Sequence, residues 1–166
     1  MAILFTSFIW YNNTEWSISE DYSIKFKSDN PSGVFTSFKG KIIFAPDHLE
    51  SSSFNLIVDV KSINTGNGIK NKHALSKNWF DEKRFPEITF TSSQFEQSGS
   101  GFSVIGTMTI HGVPKVMSIP FTFKDNTFKS NFKIDRTDFN VGSTKGMSSK
   151  AATKLDIEVS VPVSKI

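Results

Sequence analysis

The sequence predicts an all-β fold: an antiparallel sheet of about eight strands closed into a barrel, with one helical insert near residues 67–80. Two observations lead there. Apolar residues recur at every second position through most of the chain, punctuated by Gly, Pro, Asn and Asp, which is the pattern of short strands buried on one face. Phenylalanine occurs 17 times, and as a strand former with a large apolar area it lets few residues carry much of the burial. Closing the sheet removes its exposed edges. A two-sheet sandwich has the same periodicity, so the pattern alone leaves that architecture open.

In chain order, Thr14–Ser19 and Tyr22–Lys27 alternate and point Trp16, Ile18, Tyr22, Ile24 and Phe26 inward. Asn30-Pro31-Ser32-Gly33 has turn chemistry, and the next strand turns Phe38, Ile42 and Phe44 to the core and Lys39 and Lys41 to water. After Ala45-Pro46-Asp47-His48, a strand over 54–61 directs Phe54, Leu56, Val58 and Val60 inward. Beyond the insert, Ile88, Phe90 and Phe95 resume the alternation, followed by Phe102, Val104, Met108 and Ile110. His111–Lys115 makes a tight connection, and Pro120 marks the strand over 117–123 as an edge or bulged strand. Phe128, Phe132 and Ile134 mark another strand, Arg136 to Lys150 is a long polar connection, and the last strand is apolar at every odd position from Leu155 to Val163.

The stretch from Asn64 to Ser92 breaks this alternation. Ile69, His73, Ser76 and Phe80 recur at about one helical turn, with Leu75 and Trp79 close to the same face. Phe85-Pro86 then stops any helix. A helical insert in a β chain covers something, either a packed core or a pocket. Asp81, ahead of Glu82-Lys83-Arg84, reads as a helix N-cap.

Composition narrows the functions. With 166 residues and a net charge of +3, the chain suits one domain, residues 14–166, preceded by an apolar segment over residues 1–13. That segment is too short to span a bilayer and has no basic residue before its apolar run; it reads as a docked segment or as the tail of a signal sequence, and no transmembrane segment is expected. The lysines are scattered, which argues against a nucleic-acid partner. Cys is absent, which excludes a disulfide framework, a thiol nucleophile and a Cys-ligated metal. His48, His73 and His111 have no metal-ligand spacing, and no G-x-S-x-G elbow occurs; no metal, cofactor or catalytic residue is assigned. Thr65-Gly66-Asn67-Gly68 reads either as a turn into the helix or as a weak anion loop. Lys70, Lys72, Lys77, Lys83 and Arg84 read either as a solvated face or as a complement to an anionic head group.

Several motifs carry a resemblance. Ser62-Ile63-Asn64-Thr65-Gly66-Asn67, His73-Ala74-Leu75, Trp79-Phe80-Asp81 and the run from Phe85 to Ser92 resemble the signature S-I-D-T-G-N, H-L, F-F-D and Y-P-x-I-x-F-x-S of the YceI-like family. Gly106–Val113 is similar to its G-x-L-T-I-H-G-V segment, and Ile134–Val141 to I-N-R-S-D-F-G-V. Trp16-Ser17-Ile18, Ser23–Phe26, Phe35 and Phe38-Lys39-Gly40 extend the likeness toward the N-terminus. Asn64 stands where the family usually has Asp, Tyr22 where it often has His, and Asn140 where it often has Gly. The resemblance implies an extended lipocalin-like antiparallel β-barrel that holds a long isoprenoid chain, in proteins often exported to the periplasm.

From the inward pattern and this resemblance together, the expected ligand-binding residues are Phe38, Ile42, Phe44, Leu56, Val58, Leu75, Trp79, Phe80, Phe90, Val104, Met108, Phe121 and Phe132. The expected function is non-catalytic binding or transport of a long-chain apolar amphiphile, a polyisoprenoid such as a polyprenyl phosphate, a quinone or a quinone precursor. A periplasmic or secreted location follows from the resemblance, with a cytoplasmic one as alternative, and a homodimer is left open. The rival functions are a lipid-acting enzyme and an interaction module whose core is filled.

Overall fold

The computed structural model describes residues 14–166, except for the side chains of Met147 and Ser148. The expectations for residues 1–13 lie outside the described residues. Among the described residues the strands are β1 (Glu15–Ile18), β2 (Ser23–Lys27), β3 (Gly33–Phe35), β4 (Phe38–Ile43), β5 (Ser53–Asp59), β6 (Ile63–Asn64), β7 (Glu87–Ser98), β8 (Gly101–Ile110), β9 (Val113–Lys124), β10 (Thr127–Asp135) and β11 (Lys154–Lys165), with one α-helix, α1 (Gly68–Leu75). Hydrogen-bonded neighbours run β1-β4-β5-β7-β8-β9-β10-β11, and β11 pairs back onto β1. The sheet is a closed eight-stave barrel, and the sandwich alternative falls.

Eleven strands make eight staves because the first three staves are each broken once. β2 continues β1 along β11, β3 precedes β4 on one stave, and β6 extends β5 beside β3. From Ile18↔Val163 to Ser23↔Ser160 the first stave advances five residues while β11 advances three. The excess residues around Ser19–Tyr22 bend the stave, as bulges do. Tyr22 repairs the neighbouring break between β3 and β4: its Oη donates to the Thr36 carbonyl at 2.7 Å and accepts from the Phe38 amide at 3.1 Å. Backbone groups that lose ladder partners at the break are thereby satisfied.

The later strands are long hairpins. His111 and Gly112 both have positive φ, as do Asp125 and Asn126, which suits the two-residue turns whose twist matches that of paired strands. The pairing of β9 with β10 covers only Thr127–Lys129. Pro120 lies just beyond and has no amide to donate; its carbonyl accepts the Ser130 hydroxyl at 2.5 Å. The edge expected from Pro120 is therefore a seam where the wall parts. The turn Arg136–Phe139 packs against β9 beside that seam, and Phe139 and Val141 from this region are buried in the core.

Three sequence expectations for the insert need correction. α1 ends at Leu75, not near residue 80, because the Ser76 amide and hydroxyl both close back on the His73 carbonyl. Ile69, expected on the covered face, is 69% exposed. The helix is capped by Asn67, whose Oδ1 accepts from the Ile69 and Lys70 amides at 3.0 Å. Asp81 is no N-cap: it has φ 47° and lies in a turn, where its carbonyl accepts from the Arg84 and Phe85 amides.

Candidate binding cavity

Apolar side chains fill only the lower part of the barrel. Above them is a cavity of about 470 Å³, within the range of ordinary ligand sites. A fully filled core is thus not what the fold provides. β11 lines the cavity with Leu155, Ile157, Val159 and Val161; a six-residue advance covers about 20 Å of strand, or about 15 Å along a barrel axis to which strands tilt by roughly 40°.

Most of the expected residues meet here. Phe38 and Ile42 of β4, Leu56 and Val58 of β5, Phe90 of β7, Val104 and Met108 of β8, Phe121 of β9, Phe132 of β10, and Trp79 and Phe80 after α1 all line the cavity. Gly106 makes room for one of them: a Cβ there would lie 2.6 Å from the Phe90 ring. Phe44 and Leu75 are not on the wall. Phe44 is fully buried below the cavity among other rings. Leu75 sits half-buried at the end of α1, and its neighbours Ala74 and His73 reach the cavity instead.

The walls also include residues not in the expected set. Phe26, Phe54, Ile110 and Phe128 were legible as inward-facing positions, and Ile119 shares a face with Phe121 by parity. Phe139, Val141 and Arg136 come from the irregular connection, where no period points to them. Arg136 is the unusual one, because its guanidinium is buried, with the residue 5% exposed, at the upper end of an apolar cavity. It donates to the carbonyls of Val141 at 2.7 Å, Ala152 at 2.9 Å and Ala151 at 3.2 Å, and lies 4.9 Å over the Trp79 ring. One side chain thus ties both ends of the Arg136–Ala152 connection to the residue that caps the cavity. Gly142, with φ +70°, permits this stack: a Cβ would come within 2.7 Å of Trp79 and 3.0 Å of Arg136. Burial pushes the guanidinium below its ordinary value, with Asp135 acting the other way; an arginine stays charged regardless.

The upper rim is polar and cationic. Asn30, Thr65, Lys70, His73 and Lys150 join Arg136 there, and no Asp or Glu is among the lining residues. Lys25 and Lys129 also border the cavity, each beside inward residues of its strand. The loop before α1 does not act as an anion cradle. The amides of Thr65 and Gly66 donate to Asn71 and Asn64, and those of Ile69 and Lys70 to Asn67. Of the histidines, His48 lies in an exposed turn near Glu50 and His111 packs on Phe85 in a hairpin turn, so only His73 borders the cavity.

The YceI-like domain model matches residues 12–163. The chain belongs to the YceI-like family. It is 28% identical over 128 residues to a UPF0312 protein of Yersinia pestis, covering 71% of this chain and 67% of that one, and 27% identical to one of Yersinia enterocolitica. Among solved structures, it is similar to BcnA of Burkholderia cenocepacia, with a TM-score of 0.82, 27% identity and coverage of 89% and 99% of the two chains. A polyisoprenoid binding domain from Saccharophagus degradans, implicated in plant cell wall breakdown, shares the fold at a TM-score of 0.64 and 14% identity, covering 91% of this chain and 98% of that domain. Two of this chain's departures from the family pattern are accommodated for local reasons. Asn64 keeps the side-chain acceptor that an Asp would offer to the Gly66 amide, and Asn140 adopts the left-handed conformation that favours Gly but admits Asn.

Proposed function

We propose that this YceI-like protein binds one long-chain apolar amphiphile of the polyisoprenoid class, tail down in the barrel and head at the rim. The observation that carries the proposal is the apolar cavity of about 470 Å³, with packed phenylalanines at one end and polar groups at the other. Each methylene buried contributes ~0.8 kcal/mol, so ten would supply ~8 kcal/mol, micromolar affinity before ordering costs are subtracted. The polyisoprenoid binding domain with the same fold supports the choice of tail. Lys70 and Lys150, with no carboxylate among the lining residues, favour an anionic head such as a polyprenyl phosphate over a neutral quinone. A lipid-acting enzyme would need an acid–base pair facing the lipid, and His73 has no carboxylate beside it in the lining; this supports a carrier.

Native mass spectrometry of gently purified protein is expected to show a bound lipid, and the stripped protein to reload from polyprenyl phosphate with salt-sensitive affinity. Protein that carries no lipid and takes up neither polyprenyl phosphate, quinone nor fatty acid would end the proposal.

A further inference from the structure

Three rings close the lower end of the cavity in a near-equilateral triangle. Phe54 of β5, Phe121 of β9 and Phe128 of β10 all line the cavity, with centroids 5.6, 5.6 and 6.0 Å apart. Below them Phe44 lies 6.2, 5.4 and 5.4 Å from the three, fully buried and outside the cavity lining. Each triangle ring has a further ring against it: Phe95 on Phe54 at 4.8 Å, Phe102 stacked on Phe121 at 5.4 Å, and Phe123 on Phe128 at 4.4 Å. Rings so packed do not swing aside to admit a longer chain, because interiors at this density have few voids to receive them. Parts of the wall above are irregular chain.

We propose that the triangle Phe54–Phe121–Phe128, seated on Phe44, is a chain-length stop that sets how long a tail the barrel accepts. This rests on the binding reading above and adds a specificity determinant to it. A tail longer than the shaft must leave carbons at the rim, among Lys70, His73 and Lys150, where they gain no burial. Affinity then rises with each added carbon up to the stop and levels off or falls beyond it.

The position of the stop can be moved in both directions. Phe121→Ala opens the floor, and Phe121→Leu opens it less. Ile119 lies two residues from Phe121 on the same face of β9 and lines the cavity, so Ile119→Phe places a ring above the present floor. The stripped full chain is offered equimolar series of straight-chain fatty acids and of polyprenyl phosphates of graded length, and occupancy is read by native mass spectrometry. The wild type is expected to show a length beyond which occupancy stops rising. That limit moves to longer chains in Phe121→Ala, by less in Phe121→Leu, and to shorter chains in Ile119→Phe. If Phe121→Ala fails to fold, the leucine and Ile119→Phe variants decide. An unchanged limit in the variants that bind, or a wild type whose occupancy rises with length without limit, overturns the stop and leaves the binding reading standing. A wild type that takes up no member of either series overturns both.

Discussion

At the lower end of the barrel six aromatic rings surround the Phe44 side chain, with centroids between 5.1 and 6.3 Å away. At the upper end one guanidinium, Arg136, gathers backbone carbonyls from an irregular connection and lies over Trp79. The floor is held by many weak contacts between strand residues and Phe44, which directly follows β4. The rim is held by a few directional bonds to one residue. Dispersion contacts between packed rings fade within an ångström or two of displacement and have no soft mode, so the floor suits a fixed boundary. Hydrogen bonds to carbonyls can be exchanged for water once the chain lifts, so the rim is the end at which the proposed lipid would enter.

The largest effect should come from the floor. Phe44→Ala removes a fully buried ring that its neighbours cannot replace, and a loss of about 3–5 kcal/mol is expected in denaturant unfolding. A loss below about 1 kcal/mol would show that the cluster is loosely packed and that the two ends do not differ as described. Arg136→Ala should cost about 2–3 kcal/mol by stranding buried carbonyls. Its signature is local: amide exchange rises over residues 136–152 and not in β8 or β9. Arg136→Lys should restore little, since an ammonium cannot reproduce the planar fork or the stack on Trp79. Full rescue by lysine would mean that charge alone holds the rim.

Trp79→Ala sharpens the comparison by separating stability from retention. The ring is half-buried, lines the cavity and carries the cation–π contact, which is worth ~1–2 kcal/mol when partly desolvated. Stability should fall by about that amount, while dissociation of a bound polyprenyl phosphate speeds up more than in Phe44→Ala. Equal retention in the two variants would remove the distinction between a floor and a lid.

The sequence made the floor legible and the rim hardly so, for a physical reason. Alternation in a strand reports which face a residue takes, and Phe54, Phe121 and Phe128 all have inward parity. Parity carries no information about depth along the barrel axis. Parity therefore groups Phe44 with the wall, although it lies beneath the cavity. The same period also says nothing about continuity, which is why the broken staves at Ser19–Tyr22 and Thr36–Ser37 emerge only from the pairing. The helical spacing of Ile69, His73 and Phe80 assumed one continuous helix, and the stop at Ser76 leaves Ile69 exposed while Phe80 still reaches the cavity. Arg136 sits where no period exists at all. The only signal for it was the I-N-R-S-D-F-G-V likeness at Ile134–Val141, which marks the position without giving its role.

The smallest predicted effect concerns the turn that presents Arg136. Asp135 precedes it and accepts from the Thr137 hydroxyl at 2.6 Å and the Thr137 amide at 3.0 Å. The Thr137 hydroxyl does most to hold this carboxyl below its ordinary value; burial acts the other way, and the Thr137 amide, Lys154 and Thr153 add to the lowering. A carboxylate whose folded value is depressed contributes fully above its unfolded value, about pH 4, and loses that contribution as pH falls through the folded value. Acidification from about pH 5 to about pH 3 should therefore loosen the rim before the floor. Asp135→Asn keeps an acceptor for the Thr137 amide but cannot ionise. Its melting temperature should fall less steeply over that interval than the wild type's, with a small deficit at neutral pH, and exchange over residues 136–152 should lose its acid dependence. Parallel pH profiles for the two proteins would show that Asp135 acts as a neutral acceptor and that acid does not discriminate between the two ends of the barrel.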